Sequence, residues 1–355
     1  MTETTRTPLI TSDVRPKAWM NVAKGLAMFL VVFFHTYLFL EAEGITGFPG
    51  RAKAALESFP MPAFFLIAGL FAARAGNWSF VDLWKRRLVP ILWLYVVWSL
   101  IRFAFYVIIP GTNGDLGALA ATDPLSLLLL FVWPSSSYWF LYALVWFTFG
   151  VWALNRVPVW LKVSAAALLS AAVTSGWLNF HNVGWNRIAA LFLFFLIGAL
   201  FSRQIHAFIA NARPWQLGAI ATVYLAGAAL FVLLPAVRSV PFAATVMQVL
   251  AVAGGFIACK YLARVRPVEG VLSTIGEWSL QIYLIHLFLI GTMALIIGLL
   301  LPPVDGALGM LITAGCAVAV TYLSIVLSKL TTKVRWLYVP PMRKRSATRS
   351  RAASN

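Results

Sequence analysis

Residues 18–40 read AWMNVAKGLAMFLVVFFHTYLFL. The stretch contains no acid, and its only basic side chains are Lys24 and His35. A helix needs about 20 mostly apolar residues to cross a bilayer, so this run is long enough to span as one helix. It is too long for a core strand and lacks the period-2 alternation of a membrane-barrel strand. Reading outward, nine further apolar runs follow, at 58–74, 88–109, 137–154, 160–178, 188–203, 215–235, 240–260, 275–298 and 307–329. The pattern predicts an all-α integral membrane protein, a bundle of about ten transmembrane helices. The runs 58–74 and 188–203 are short, as expected of spans that tilt little or lie inside the bundle. Pro124 to Val132 is too short to cross and reads as an interfacial or re-entrant piece, ended by Pro134 and the break Ser135-Ser136-Ser137.

Composition agrees. Of 355 residues, 61% are hydrophobic and 11% are charged, against roughly 25% charged in soluble domains. A globule so apolar could not cover its core with polar surface. The net charge of +17 would suggest nucleic acid in a soluble protein, but here topology explains it. With the N-terminus inside, 22 of the 28 Lys and Arg fall on the cytoplasmic side and four outside (Arg51, Lys53, Arg187 and Arg238). Lys24 and Arg102 lie within spans. This asymmetry predicts both termini in the cytoplasm, with the cations as orientation signals and lipid-headgroup contacts and no role for nucleic acid. The two cysteines, Cys259 and Cys316, sit in apolar runs, which excludes a disulfide framework or a zinc cage. No signal peptide is expected, because the first apolar run is long, lacks a small-residue cleavage site and contains Lys24. The organisation predicted is a cytoplasmic segment 1–17, a membrane domain 18–335 and a basic, disordered cytoplasmic tail 336–355.

Ionisable groups at membrane depth are expensive and therefore functional candidates. Four stand out: Lys24, His35, Arg102 and His286. Every Asp and Glu falls in a loop or at a span end. That argues against a proton- or sodium-coupled transporter, which usually buries a carboxylate for its ion. Lys24 and His35 are 11 residues apart, which puts them on one helix face about 16 Å apart along the axis. A polar line of that shape suits a long, narrow ligand. The plainer reading is that Lys24 snorkels toward the cytoplasm and His35 bonds a carbonyl of a neighbouring helix. Arg102 reaches a depth similar to His35, where a guanidinium beside an imidazole could hold a polarised oxygen; alternatively it snorkels to outer headgroups. Lys85, Arg86 and Arg87, before Pro90, form an inner-mouth cluster that is either an orientation signal or a phosphate site. His286 reads as a cavity group or a satisfied core histidine. His181 falls in an outer loop and His206 in an inner one.

Five pieces, in order, carry a resemblance. They are Asn21-Val22-Ala23-Lys24-Gly25-Leu26-Ala27 closed by His35; Pro60-Met61-Pro62-Ala63-Phe64-Phe65-Leu66-Ile67-Ala68-Gly69-Leu70; Arg87-Leu88-Val89-Pro90; Ser137-Tyr138-Trp139-Phe140-Leu141; and Ile275-Gly276-Glu277-Trp278-Ser279 through Tyr283-Leu284-Ile285-His286. Together they resemble the acyltransferase 3 family of membrane proteins over nearly the whole chain. Lys24 stands where that family usually has Arg, Asn21 where Asp is common, and Ala68 where Ser is common. The resemblance implies an O-acetyltransferase-like enzyme of the plasma (inner) membrane, moving an acyl group from acyl-CoA, commonly acetyl-CoA, to a hydroxyl of a sugar or of an envelope glycan or lipid. It places the family's key histidine at His35; the residues themselves add Lys24 and Arg102 to the catalytic set and put Lys85, Arg86 and Arg87 at the donor phosphates. Asn21, Trp139, Tyr283 and His286 would line the cavity. Acyl-CoA would be a co-substrate, with no bound cofactor and no metal. The competing reading is a transporter or flippase of an envelope precursor.

Overall fold

The computed structural model describes residues 18–47, 53–109, 120–134 and 137–341. The N-terminal segment 1–17, Arg51, the Ser135-Ser136 break and the cations of the tail from Arg343 lie outside the described residues. The helices in chain order are α1 Ala18–Ala42, α2 Lys53–Ser58, α3 Pro60–Ala72, α4 Phe80–Leu83, α5 Val89–Ile108, α6 Leu125–Leu128, α7 Trp139–Ala153 and α8 Val159–Thr174. They continue with α9 Val183–Leu200, α10 Ser202–Asn211, α11 Pro214–Leu233, α12 Ala243–Leu262, α13 Arg266–Glu277, α14 Ser279–Leu300 and α15 Gly306–Thr331. Among the described residues there is no strand, only an isolated backbone pairing of Ile45 with Val304 that ties two loops. Seven helical segments are long and apolar enough to cross a bilayer: α1, Phe80–Ile108, α9, α11, α12, α14 and α15. Three shorter apolar helices, Leu56–Ala72, α7 and α8, accompany them. The protein is an all-α membrane protein, as the apolar runs predict.

Helix α1 is the central element. Val22, Ala23, Ala27 and Val32 on it are wholly buried, and α12, α13, α14, α15 and α3 all pack on it. Its crossing with α13 depends on glycine. A Cβ at Gly25 would run into the Leu272 carbonyl oxygen, and one at Gly276 into the Asn21 carbonyl oxygen. Only hydrogen at both positions lets the two backbones touch, as small residues do in membrane helix pairs. The α3–α9 crossing is built the same way: Gly69 lies on the Phe195 carbonyl and Gly198 on the Leu66 carbonyl. Helices α1 and α3 also pack directly on each other.

Three boundaries differ from the apolar-run reading. The run 275–298 takes in the last residues of α13 and most of α14, with the break at Trp278; α13 begins upstream of the run and carries Glu269, Ser273 and Thr274 as a polar side. The run 188–203 begins earlier, at Val183, because Asn182 caps it: the Asn182 Oδ1 accepts from the Trp185 N–H at 2.8 Å. Of the tail 336–355, expected from composition to be disordered, residues 336–338 are packed on α5. The indole N–H groups of Trp93 and Trp98 donate to the carbonyls of Trp336 and Leu337 at 2.7 and 3.0 Å, and Tyr338 packs its ring on Trp98. The short segment around α6 is held to the bundle by Tyr95, whose hydroxyl donates to the Leu130 carbonyl at 2.7 Å. Trp185 likewise donates to the Val132 carbonyl at 3.0 Å. The re-entrant or interfacial piece is thus a folded cap on α5 and α9.

Candidate active site

Two cavities lie along one side of α1. The inner one, of about 200 Å³, is lined by Lys24, Met28 and Val31 of α1. The outer one, of about 300 Å³, is lined by Leu30, Val31, Phe34 and His35. Positions 24, 28, 31 and 35 recur at four, three and four residues, so they form one stripe of the helix. Helix α14 faces it with its own stripe, Ser279, Leu280 and Tyr283 below and Tyr283, His286 and Leu287 above. Helix α3 supplies Met61 to both cavities, with Phe64, Ala68 and Phe71 along the inner one. The cavities therefore share three wall residues, Val31, Met61 and Tyr283. The polar line read from the spacing of Lys24 and His35 runs along both cavities, with Lys24 in the wall of the inner one and His35 in that of the outer one.

The two histidines meet in the outer cavity with ring centroids 5.3 Å apart, edge to face. Among the described residues, His35 bonds its own helix and not a neighbouring one. Its Nδ1 lies 2.9 Å from the Val31 carbonyl of its own helix. His286 does the same, with Nδ1 3.0 Å from the Ile282 carbonyl and 2.8 Å from that of Tyr283. A carbonyl can only accept, so each Nδ1 carries the hydrogen and each Nε2 is left as the basic nitrogen. His286 is 1% exposed, and its Nε2 has no hydrogen-bond partner among the described residues. Burial does not make it a satisfied core histidine, because it lines the cavity. Tyr283 is fixed beside it: the hydroxyl donates to the Ser137 carbonyl at 2.8 Å, and the ring packs on Phe140 and Tyr138.

The cation in this cavity is Arg187 rather than Arg102. Arg187 lies in the opening turns of α9, over the Trp139 ring at 5.3 Å and 3.5 Å from Glu57. Both Trp139 and Glu57 line the same cavity, with Asn186 and Gln248. Sequence reading treats Arg187 as a loop cation because it interrupts the apolar run. The signal that would have placed it on a helix is Asn182, a capping residue just before Val183. Glu57 and Gln248 carry no sequence signal that marks them as site residues. Arg102 is buried at 6% exposure, 5.5 Å over the Tyr106 ring, and does not line either cavity; Tyr138 neighbours both it and Tyr283. Asn21 also lines neither cavity and belongs to the α1–α13 crossing. His181 is exposed in its loop, and His206 packs against Trp19.

The inner-mouth cations divide. Arg87 donates to the Phe71 carbonyl at 2.6 Å, satisfying the last turn of α3 at the edge of the inner cavity. Arg86 is exposed, 3.0 Å from Asp82 and over Trp78, and Lys85 is exposed beside it. All three ride on a π-helical turn, Trp84–Leu88, that joins α4 to α5.

A family model described as an acyltransferase domain matches residues 17–329. The chain belongs to the acyltransferase 3 family. No match to the chain was found among curated proteins or among solved structures. Membership makes the protein a membrane acyltransferase in the general sense, with an acyl donor, an acceptor and membrane lipid as its partners. The matched region takes in every helix that walls the two cavities. Four of the five sequence pieces that carry the resemblance supply cavity walls, from α1, α3, the loop into α7, and α14. The fifth, Arg87-Leu88-Val89-Pro90, reaches the inner cavity through the Arg87–Phe71 bond.

Proposed function

We propose that the protein transfers an acyl group, acetyl from acetyl-CoA, onto a hydroxyl of a sugar or of a cell-envelope glycan or lipid in the plasma membrane. The observation that carries this reading is the pair of cavities meeting at Val31, Met61 and Tyr283, one holding Lys24 and the other His35. Ligand sites commonly run from about 300 to 1,000 Å³, so both cavities are small. They suit an acyl group and a thin thioester arm. The bulky nucleotide end of CoA would stay at the surface, where Lys85 and Arg86 are exposed and Arg87 borders the inner cavity. Clustered cations bind phosphate oxygens well. The inner cavity is otherwise apolar and favours the acyl arm over water.

In this mechanism the acceptor hydroxyl enters the outer cavity and meets His35 Nε2. The base takes the hydroxyl proton as the oxygen attacks the thioester carbonyl. The C–S bond breaks, and the proton returns from His35 to the leaving thiolate. Negative charge develops on the carbonyl oxygen during attack, and Arg187 is the cation beside His35 able to offset it. The guanidinium has spare donors there, since its Glu57 contact at 3.5 Å is long. The flippase reading fits less well, because cavities this narrow would not pass an oligosaccharide precursor. The test is release of free CoA thiol by purified protein in lipid discs. Release that depends on an added hydroxyl acceptor supports the proposal; no release with any glycan or lipid acceptor contradicts it.

A further inference from the structure

We infer that Gln248 is a second contact for the acceptor: its amide bonds a hydroxyl other than the one acylated, so the acceptor presents a compact polyol, a single sugar ring, rather than the lone alcohol group of a lipid. The inference rests on the acyl-transfer reading and narrows its acceptor. Three observations carry it. Gln248 lines the outer cavity from α12, the same cavity that holds His35. Its Oε1 is buried and has no hydrogen-bond partner among the described residues. Thr245, three residues earlier and so on the same face of α12, shows the contrasting structural use of a polar group. Its Oγ1 lies 3.2 Å from Ser170 Oγ and 3.3 Å from Thr174 Oγ1, across the contact with α8. Gln248 has no such pairing and lies at the cavity instead.

A buried amide oxygen with no bond destabilises a fold, and an apolar side chain of the same size would pack there at less cost. A ligand offsets that cost. The carbonyl accepts from a hydroxyl and the NH2 donates to one, and a half-turn of the terminal bond exchanges the two ends, so the amide can meet a hydroxyl in either sense. Helices α1 and α14 bring His35 and His286 to this cavity and α9 brings Arg187; α8 and α12 add Val173, Thr174 and Gln248. With Glu57 and Asn186, polar groups reach it from α2, α8, α9 and α12. An alkyl chain behind a lone alcohol would leave them facing hydrocarbon, which a site with hydrogen-bonding groups disfavours strongly. Leu56, Ala190 and Leu191 lie among the polar groups. Such a mixed wall suits a sugar, with its apolar C–H faces and a rim of hydroxyls. The other polar groups already have partners. Asn186 Oδ1 accepts from the Phe180 N–H and its Nδ2 donates to Asn179 Oδ1, both at 2.9 Å. Thr174 Oγ1 donates to the Ser170 carbonyl at 2.8 Å, and Glu57 lies against Arg187. Gln248 keeps its capacity for a ligand. At about 300 Å³ the cavity is at the low end for ligand sites, so it takes one ring and leaves any further sugars outside.

The experiment uses the full chain in lipid discs and two variants, Gln248→Met and Gln248→Leu, which remove the amide and keep a side chain of similar size. The first readout is binding of the methyl glycosides of glucose, galactose, mannose and rhamnose, by saturation-transfer NMR. Wild type is expected to bind at least one of them, and the variants to bind it about tenfold more weakly, the loss of one hydrogen bond. No glycoside binding by wild type, or equal binding by the variants, would overturn the inference. Monodeoxy analogues of the bound glycoside locate the contact. For one of them wild type and variants should bind alike, because the hydroxyl that Gln248 meets is already gone; the same loss with every analogue would overturn the inference. Thermal unfolding guards against a structural role. The variants should unfold no earlier than wild type, since an apolar group in place of an unfilled amide is neutral or stabilising. A lower unfolding temperature in both would make the amide a structural group and overturn the inference. Acetyl transfer from acetyl-CoA to the bound glycoside is read separately. Its kcat/KM for the glycoside should fall by the same factor in the variants while KM for acetyl-CoA stays near wild type; an unchanged kcat/KM would overturn the acceptor role. If wild type binds the glycoside through Gln248 and transfers nothing, the acyl-transfer reading fails and the sugar contact stands on the binding data.

Discussion

Replacing Arg187 by Met separates the cation that sequence reading favours from the one the fold puts beside His35. Little stabilising energy goes with the side chain. The ion pair with Glu57 is 3.5 Å long between side chains 32% and 50% exposed, and such exposed pairs contribute about 0–1 kcal/mol. The stacking of the guanidinium 5.3 Å over Trp139 adds about 0.5–1 kcal/mol. Arg187→Met should therefore cost at most about 2 kcal/mol of stability, and the variant should insert and purify normally. Turnover should respond far more. Removing one preorganised donor to a developing oxyanion typically costs about 10²–10³ in kcat. Arg187→Lys should recover only part, since an ammonium keeps the charge but loses the planar fork. The matched control is Arg102→Met, which lies outside both cavities and should leave turnover near wild type while altering thermal stability. The assay is acceptor-dependent acyl transfer at saturating donor, with thermal unfolding in parallel. If Arg102→Met abolished turnover and Arg187→Met spared it, the placement of the oxyanion site on α9 would be refuted.

Arg86→Gln/Arg87→Gln should raise KM for acyl-CoA, with an effect that shrinks at high salt as phosphate pairing is screened; donor kinetics against ionic strength checks this, and salt-independent kinetics would leave the cluster as an orientation signal. Gly69→Ala pushes a methyl group into the Phe195 carbonyl and should cost about 1–3 kcal/mol or more, read as a lower unfolding temperature; an unchanged temperature would mean that α3 and α9 do not cross so closely. Truncation after Val334 removes the acceptors of Trp93 and Trp98 and should lower the unfolding temperature relative to truncation after Pro341, which keeps them; equal temperatures would mean that these two bonds contribute nothing. A reporter fused after Asn355 should behave as cytoplasmic, from the distribution of Lys and Arg; activity of a periplasm-only reporter there would make the number of crossings odd.

Features that repeat along one helix are legible in the sequence. The apolar runs fall on apolar helices, except that 275–298 takes in the end of α13 as well as α14, and the 11-residue spacing of Lys24 and His35 gives one stripe, because both facts follow from local geometry. Which residues meet across helices is not legible. Arg102 and Arg187 both look like cations near the outer half of the bilayer. In the fold Arg187 lines the outer cavity, whereas Arg102 lies over the Tyr106 ring. His286 stands out as a polar group in a span but not as a neighbour of His35, since 251 residues separate them and the contact depends on how α14 packs on α1. The tail boundary is hidden because Trp336, Leu337 and Tyr338 contribute to the fold partly through carbonyls, which carry no residue-type signal.

The central claim is that His35 Nε2 is the base for acyl transfer. Its most direct test is transfer of radiolabelled acetyl from acetyl-CoA to an envelope glycan acceptor by wild-type protein and by His35→Gln, each purified and shown to be folded. Gln keeps volume and hydrogen bonding but cannot take a proton at neutral pH, so label transfer should fall by about 10²–10⁴-fold, with donor binding retained. Near-normal transfer by His35→Gln would contradict the account, reducing His35 to a positioning residue and moving the base elsewhere in the cavity.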